Sequence, residues 1–121
     1  MALPRPAPGA PPSNRREAVA ASLRRLAPRL PDFEAEAALD RALASPGLAR
    51  AAPDNAARLA LIAYARHVFT EYDDLLADGY DRDSARHFVL DTLNDVLTAW
   101  GAPPIPEDSA IAEQGGGDPE P

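Results

Sequence analysis

The segment RHVFTEYDDLL, residues 66–76, gathers an arginine, a histidine, a tyrosine and three carboxylates into a short span. If it is helical, with about 100° between successive residues, His67, Glu71, Asp74 and Asp78 fall along one stripe. An imidazole followed by carboxylates at i+4 and i+7 has the donor types that hold a divalent metal. A solvated acidic helix face has the same pattern, and a histidine four residues before a glutamate is also an ordinary helical pair. The other histidine, His87 with Asp91, points away from the apolar face of its own helix, so no second ligand set converges on the stripe. The expectation is no bound metal and no cofactor, with His67, Glu71 and Asp74 as weak candidate ligands.

Arg66 and Asp73 lie at the margin of the apolar face of that helix. Arg86 falls inside the apolar arc of the next one, between Val89 and Leu97. A guanidinium there must either snorkel to water or meet an anion, because an unpaired buried charge is costly. Asp73 is the expected partner across the hairpin, with Thr70 and Tyr72 near enough to add hydrogen bonds. Arg66, Thr70, Tyr72, Asp73 and Arg86 then form a clamp that fixes hairpin register, and His67 stands apart from it. The other reading of the same residues is an arginine pocket for a phosphate or carboxylate ligand.

The punctuation of the chain marks helices rather than strands. Asn14 followed by Glu17 resembles a capping box opening a short helix that Pro28 stops. Asp32 can cap a second helix, FEAEAALDRALA, ended by Ser45-Pro46-Gly47. Asp54 can cap a third, read as one long helix to about Asp78 with Gly79 as its C′ residue. Asp81 caps a fourth, ending at Trp100 before Gly101. Leu61, Ile62, Val68, Phe69, Tyr72, Leu75 and Leu76 share a face on the third helix. Ala85, Phe88, Val89, Leu93, Val96, Leu97 and Trp100 do so on the fourth, and these two faces are expected to bury one another. The fold class is all-α: a small domain of about four helices over residues 14–100, ending in an antiparallel hairpin at 54–100.

Composition bounds the rest. The chain has 121 residues, net charge −7 and no cysteine, so disulfides, thiol nucleophiles and cysteine-ligated metals are excluded. Residues 1–13 are rich in proline and residues 101–121 in proline, glycine and acid, so both are expected to be disordered tails. No apolar run has the length of a membrane span, and no leader-like segment opens the chain. Net acidity argues against nonspecific nucleic-acid binding. The exception is the segment holding Arg15, Arg16, Arg24, Arg25 and Arg29 against one acid, Glu17. It reads either as a helix docked on the chain's own acids or as a nucleic-acid or partner surface. A cytoplasmic bacterial protein is the expectation.

From Arg66 to Trp100 the chain resembles the bacterial and fungal family termed domain of unknown function 2293. Its pattern runs roughly H-x-R-H-x-x-T-x-Y-D-x-L-L, then R-x-x-A-R, then a tryptophan. Arg66, His67, Thr70, Tyr72, Asp73, Leu75, Leu76, Arg82, Ala85, Arg86 and Trp100 fill those places, over about residues 60–100. Tyr64 stands where the pattern has its first histidine, which removes half of any H-x-x-H ligand pair the resemblance implies. The resemblance implies no activity. The leading reading is a non-enzymatic interaction module with a protein partner, a homodimer being compatible with it. The alternatives are a metal- or phosphate-dependent enzyme using His67, Glu71, Asp74, Arg66 and Arg86, and a nucleic-acid accessory protein using the basic helix.

Overall fold

A computed structural model describes residues 14–107. Five α-helices follow one another: α1 (Arg15–Leu26), α2 (Asp32–Ala44), α3 (Pro53–Phe69), α4 (Tyr72–Ala77) and α5 (Arg82–Ala99), with a 3-10 turn at Pro46–Leu48. The all-α expectation holds, and no strand occurs among the described residues. Among them, no helix is long and apolar enough to cross a membrane.

Local chemistry sets most of the boundaries. The Asn14 carboxamide oxygen accepts from the Glu17 amide at 2.9 Å, and Asp81 accepts from the Ser84 amide at 2.8 Å. Each satisfies an N–H that the first turn leaves without a partner. Two helices end in the same motif. Gly79 (φ +101°) and Gly101 (φ +85°) adopt the left-handed conformation. The Gly79 and Tyr80 amides donate to the Leu76 and Leu75 carbonyls, and the Gly101 and Ala102 amides to those of Thr98 and Leu97. Both are Schellman caps. At α3 the expected Asp54 cap is corrected: Pro53 occupies the first turn after Ala52, and Asp54 sits inside the helix. Proline suits that place because its missing N–H would have no helical partner there. Pro31 likewise precedes α2 where Asp32 was the expected cap.

α3 is the central element, with α1 and α2 packed on it from one side and α5 from another. Its inner face is largely alanine: Ala56, Ala57, Ala60 and Ala65 are buried beside Leu61 and Ile62. Small side chains let helix axes approach closely. Val19 and Leu23 of α1 and Ala38, Leu39 and Ala42 of α2 complete the main core with Leu93 and Leu97 of α5 and Trp100, which caps it.

The long third helix is corrected. It breaks after Phe69, where Thr70 turns extended (φ −132°, ψ 173°). The Thr70 hydroxyl donates back to the Arg66 carbonyl and accepts from the Tyr72 amide at 3.1 Å, a side-chain bond pair that competes with the helical ladder. As a result the two faces expected to bury one another do not do so along their length. The inner face of α3 is taken by α1 and α2, while Val68, Phe69 and Phe88 remain exposed at 49 %, 41 % and 62 %. A separate small core forms from Tyr72 of α4 and Ala85 and Val89 of α5, with Leu75 and Leu76 at its edge.

The boundary placed at Gly101 is also corrected. Ala102 and Ile105 are buried in the main core. The Asn94 side chain pairs with the Ile105 backbone in both directions, donating to its carbonyl at 2.9 Å and accepting from its amide at 2.8 Å. That bidentate bond returns residues 102–105 along α5. The calls on residues 1–13 and 108–121 lie outside the described residues.

Arg29 fastens the start of the fold to its end. Its amide donates to the Trp100 carbonyl at 2.9 Å, and its guanidinium donates to the Ala99 and Thr98 carbonyls at 3.2 and 2.9 Å. A cation bonded to the last carbonyls of a helix also meets the negative end of its dipole. A Cβ on Gly101 would come within 3.0 Å of the Pro28 ring, so glycine is required there by space as well as by φ.

Candidate functional site

The basic surface of α1 is largely engaged within the chain. Arg15 donates to the Leu48 carbonyl at 2.7 Å. Arg16 pairs with Glu36 and, at 3.6 Å, with Asp40, both on α2. Arg25 meets Asp54 of α3 at 2.9 Å. The buried Ser22 hydroxyl donates to the same carboxylate. The Ser22 hydrogen bond first, and then that of Arg25, holds Asp54 below the usual carboxylate range. A cleft of about 270 Å³ lies over this lock, lined by Ala18, Ser22, Arg25, Ala52, Pro53 and Asp54. The polar groups lining it bond one another. These contacts favour docking in cis over a nucleic-acid surface, although exposed ion pairs of this kind contribute little stability each.

The metal stripe exists only if the helix is continuous. With the break at Thr70, His67 belongs to the last turn of α3, while Glu71 precedes α4 and Asp74 lies within it. Among the described residues no group of three or more His, Cys, Asp or Glu side chains is arranged to hold a metal ion. His67 instead turns its Nδ1 to the Asp73 carboxylate. This corrects the expectation that His67 stands apart from Asp73. The physical reason is again the break, because α4 restarts in a new direction and swings Asp73 back beside the end of α3. A carboxylate on Nδ1 fixes the orientation of the ring. Both side chains are about half exposed, at 55 % and 48 %, so water competes for the same bonds.

Arg86 is folded inward as expected, at 2 % exposure. The Asp73 carboxylate meets the His67 ring. Arg66 is buried to the same degree, and its guanidinium carbon lies 5.3 Å above the Tyr72 ring centroid, a cation–π contact. Tyr72 packs with Ala85 and Val89. Around α5, Val89 lies between Ala85 and Arg86, so Arg86 borders the same small core. The structure thus places Arg66, Thr70 and Tyr72 around the α3–α4 break and Arg86 on α5. The Tyr72 hydroxyl is buried without a hydrogen-bond partner among the described residues.

Tyr64, at the departure from the family pattern, links α2 to α3 by donating to Glu34 at 2.8 Å. Burial, and then the carboxylate beside it, pushes its phenol up to about 12. The folded chain therefore keeps a proton that the unfolded chain loses near pH 10. This contribution to stability is full below about pH 10 and is lost as pH rises toward about 12. Denaturant melts between about pH 9 and pH 12 are expected to show a fall in stability that is smaller in Tyr64→Phe. An identical fall in both chains would assign it to other groups.

Reasoning from sequence missed the lock at Ser22, Arg25 and Asp54, the Asn94 bond to Ile105 and the exposed Tyr80–Phe88 pair. The cap-like spacing of Thr70 and Asp73 could have signalled the break, since a threonine three residues before an acid is a helix-start pattern. Neither a curated protein nor a solved structure matches the chain. A family model described as Uncharacterized conserved protein (DUF2293) matches residues 22–101. That span runs from the middle of α1 to the glycine that ends α5, so it takes in the α1–α2–α3 core as well as the motif after Tyr64. By this match the chain belongs to the DUF2293 family.

Proposed function

We propose that this protein is a non-enzymatic helical interaction module, which docks a basic segment of a partner protein at its α4–α5 turn. One observation carries the reading: Tyr80 and Phe88, 46 % and 62 % exposed, hold each other edge to face at 5.5 Å. Rings fixed in this way lose little freedom on binding, and clustered aromatic residues anchor interfaces more often than other types. Phe33 is more exposed still, at 76 %, but no ring contact to it is seen among the described residues. Around the pair, Asp78, Asp81, Asp83 and Asp91 are exposed and outnumber Arg82 and His87. An acidic frame steers and orients a basic partner.

The test replaces Phe88 by a photo-crosslinking phenylalanine analogue in the native cell, with Arg50 replaced as an exposed control. A discrete product from position 88, absent from position 50 and diminished by Tyr80→Ser, is the expected result. The same products from both positions would overturn the reading.

A further inference from the structure

We infer that residues 102–106, Ala-Pro-Pro-Ile-Pro, form a preset polyproline ridge that docks in the aromatic-lined groove of a partner protein. The inference rests on residues other than the Tyr80–Phe88 surface. Proline fixes φ at about −65°, here at Pro103, Pro104 and Pro106, and each residue before a proline is held toward extended backbone. These restrictions together favour the polyproline II helix, with about three residues per turn. Burial follows that period. Ala102 and Ile105 are buried, at 6 % and 7 % exposure, whereas Pro103, Pro104 and Pro106 are exposed. Pro103 and Pro106 therefore share an outward edge.

The ridge is also held in place. Asn94 bonds both the amide and the carbonyl of Ile105, at 2.8 and 2.9 Å. The freedom that a loose proline-rich peptide gives up on docking is thus already lost on folding. Anchoring uses Ala102, Ile105 and Asn94, none of which is a proline. A proline soon after Gly101 helps to end α5, which accounts for Pro103 but not for Pro104 or Pro106. Exposed rings on a fixed, extended backbone are what grooves lined by aromatic side chains recognise. A polyproline helix reads nearly alike in both directions, so charge at its ends sets the direction of docking. Here the Arg29 guanidinium lies beside Gly101 at one end, and exposed Glu107 follows the other.

An SH3 domain and a WW domain, each of which takes a polyproline ligand, would be titrated in turn into the isotope-labelled full chain and followed by NMR. At least one is expected to move the Ile105 and Glu107 amide signals and the Asn94 side-chain amide in a saturable way. Pro103→Ala and Pro106→Ala should each weaken that binding about tenfold while leaving the melting temperature in place. Asn94→Ala, which keeps every proline and frees the ridge, should weaken it several-fold. Another Pro-x-x-Pro spacing, Pro8 to Pro11, serves as the comparison within the same chain. The inference is overturned if neither domain moves the ridge signals, if only signals from residues 1–13 move, or if the proline variants or Asn94→Ala bind as tightly as the parent.

Discussion

A chain cut to residues 54–100 will not fold. The cut keeps α4, α5 and all of α3 but its first residue, Pro53, and strips α3 of both helices packed on its alanine face. Val19, Leu23 and Leu39 are at most 5 % exposed in the whole chain, and burying each contributes about 1.5–3 kcal/mol. Three such losses are comparable to the roughly 5–15 kcal/mol net stability of an ordinary domain. The cut also removes Arg29 from the end of α5 and Ile105 from Asn94. Circular dichroism should show a largely unstructured fragment with no cooperative melt, while the full chain melts in one transition. A fragment that melts as the full chain does would show that α1 and α2 are accessory to the fold.

Leu61→Ala should cost about 2–5 kcal/mol, whereas Phe88→Ala should cost well under about 1 kcal/mol. Leu61 is 0 % exposed at the centre of α3, and Phe88 is 62 % exposed on α5. Leu61 belongs to the main core that α3 shares with α1, α2 and α5, where little collapse into a vacated volume is expected. The phenylalanine loses mainly its edge-to-face contact with Tyr80. Urea titrations of the two variants against the parent measure both numbers. Equal destabilisation by the two changes would mean that Phe88 is buried in solution, and with it the surface assigned to a partner.

Both residues were read as core from helical phase, and they diverge for a reason that phase does not contain. Periodicity shows that a face is apolar, but not how much of that face its neighbours cover. Helix ends were more legible, because the signals are local: Asn14, Asp81, Gly79 and Gly101 do what their chemistry favours within a few residues of themselves. Thr70 is the instructive miss. Its neighbours keep an apolar phase from Leu61 to Leu76, and that rhythm masked a hydroxyl that bonds the backbone on both sides. Asn94 gave no periodic signal, since its partner lies in a proline-rich stretch whose composition reads as tail. At the candidate site, phase alone placed Arg86 inside the fold. The partner of Asp73 depended on the direction α4 takes after the break, which no single-helix projection supplies.

The bonds from Arg29 to the last turn of α5 join positions 69 and 70 residues apart. Most small helical proteins gain speed from contacts between near neighbours in sequence, and distant closures slow the search. This molecule combines local helices with one closure that spans most of the fold. Its helices can form early and independently, yet α5 stays without its C-terminal fastening until the first third of the chain has been brought to meet it. Contacts formed only after the barrier is crossed, when strengthened, prolong the life of the folded state more than they hasten its formation.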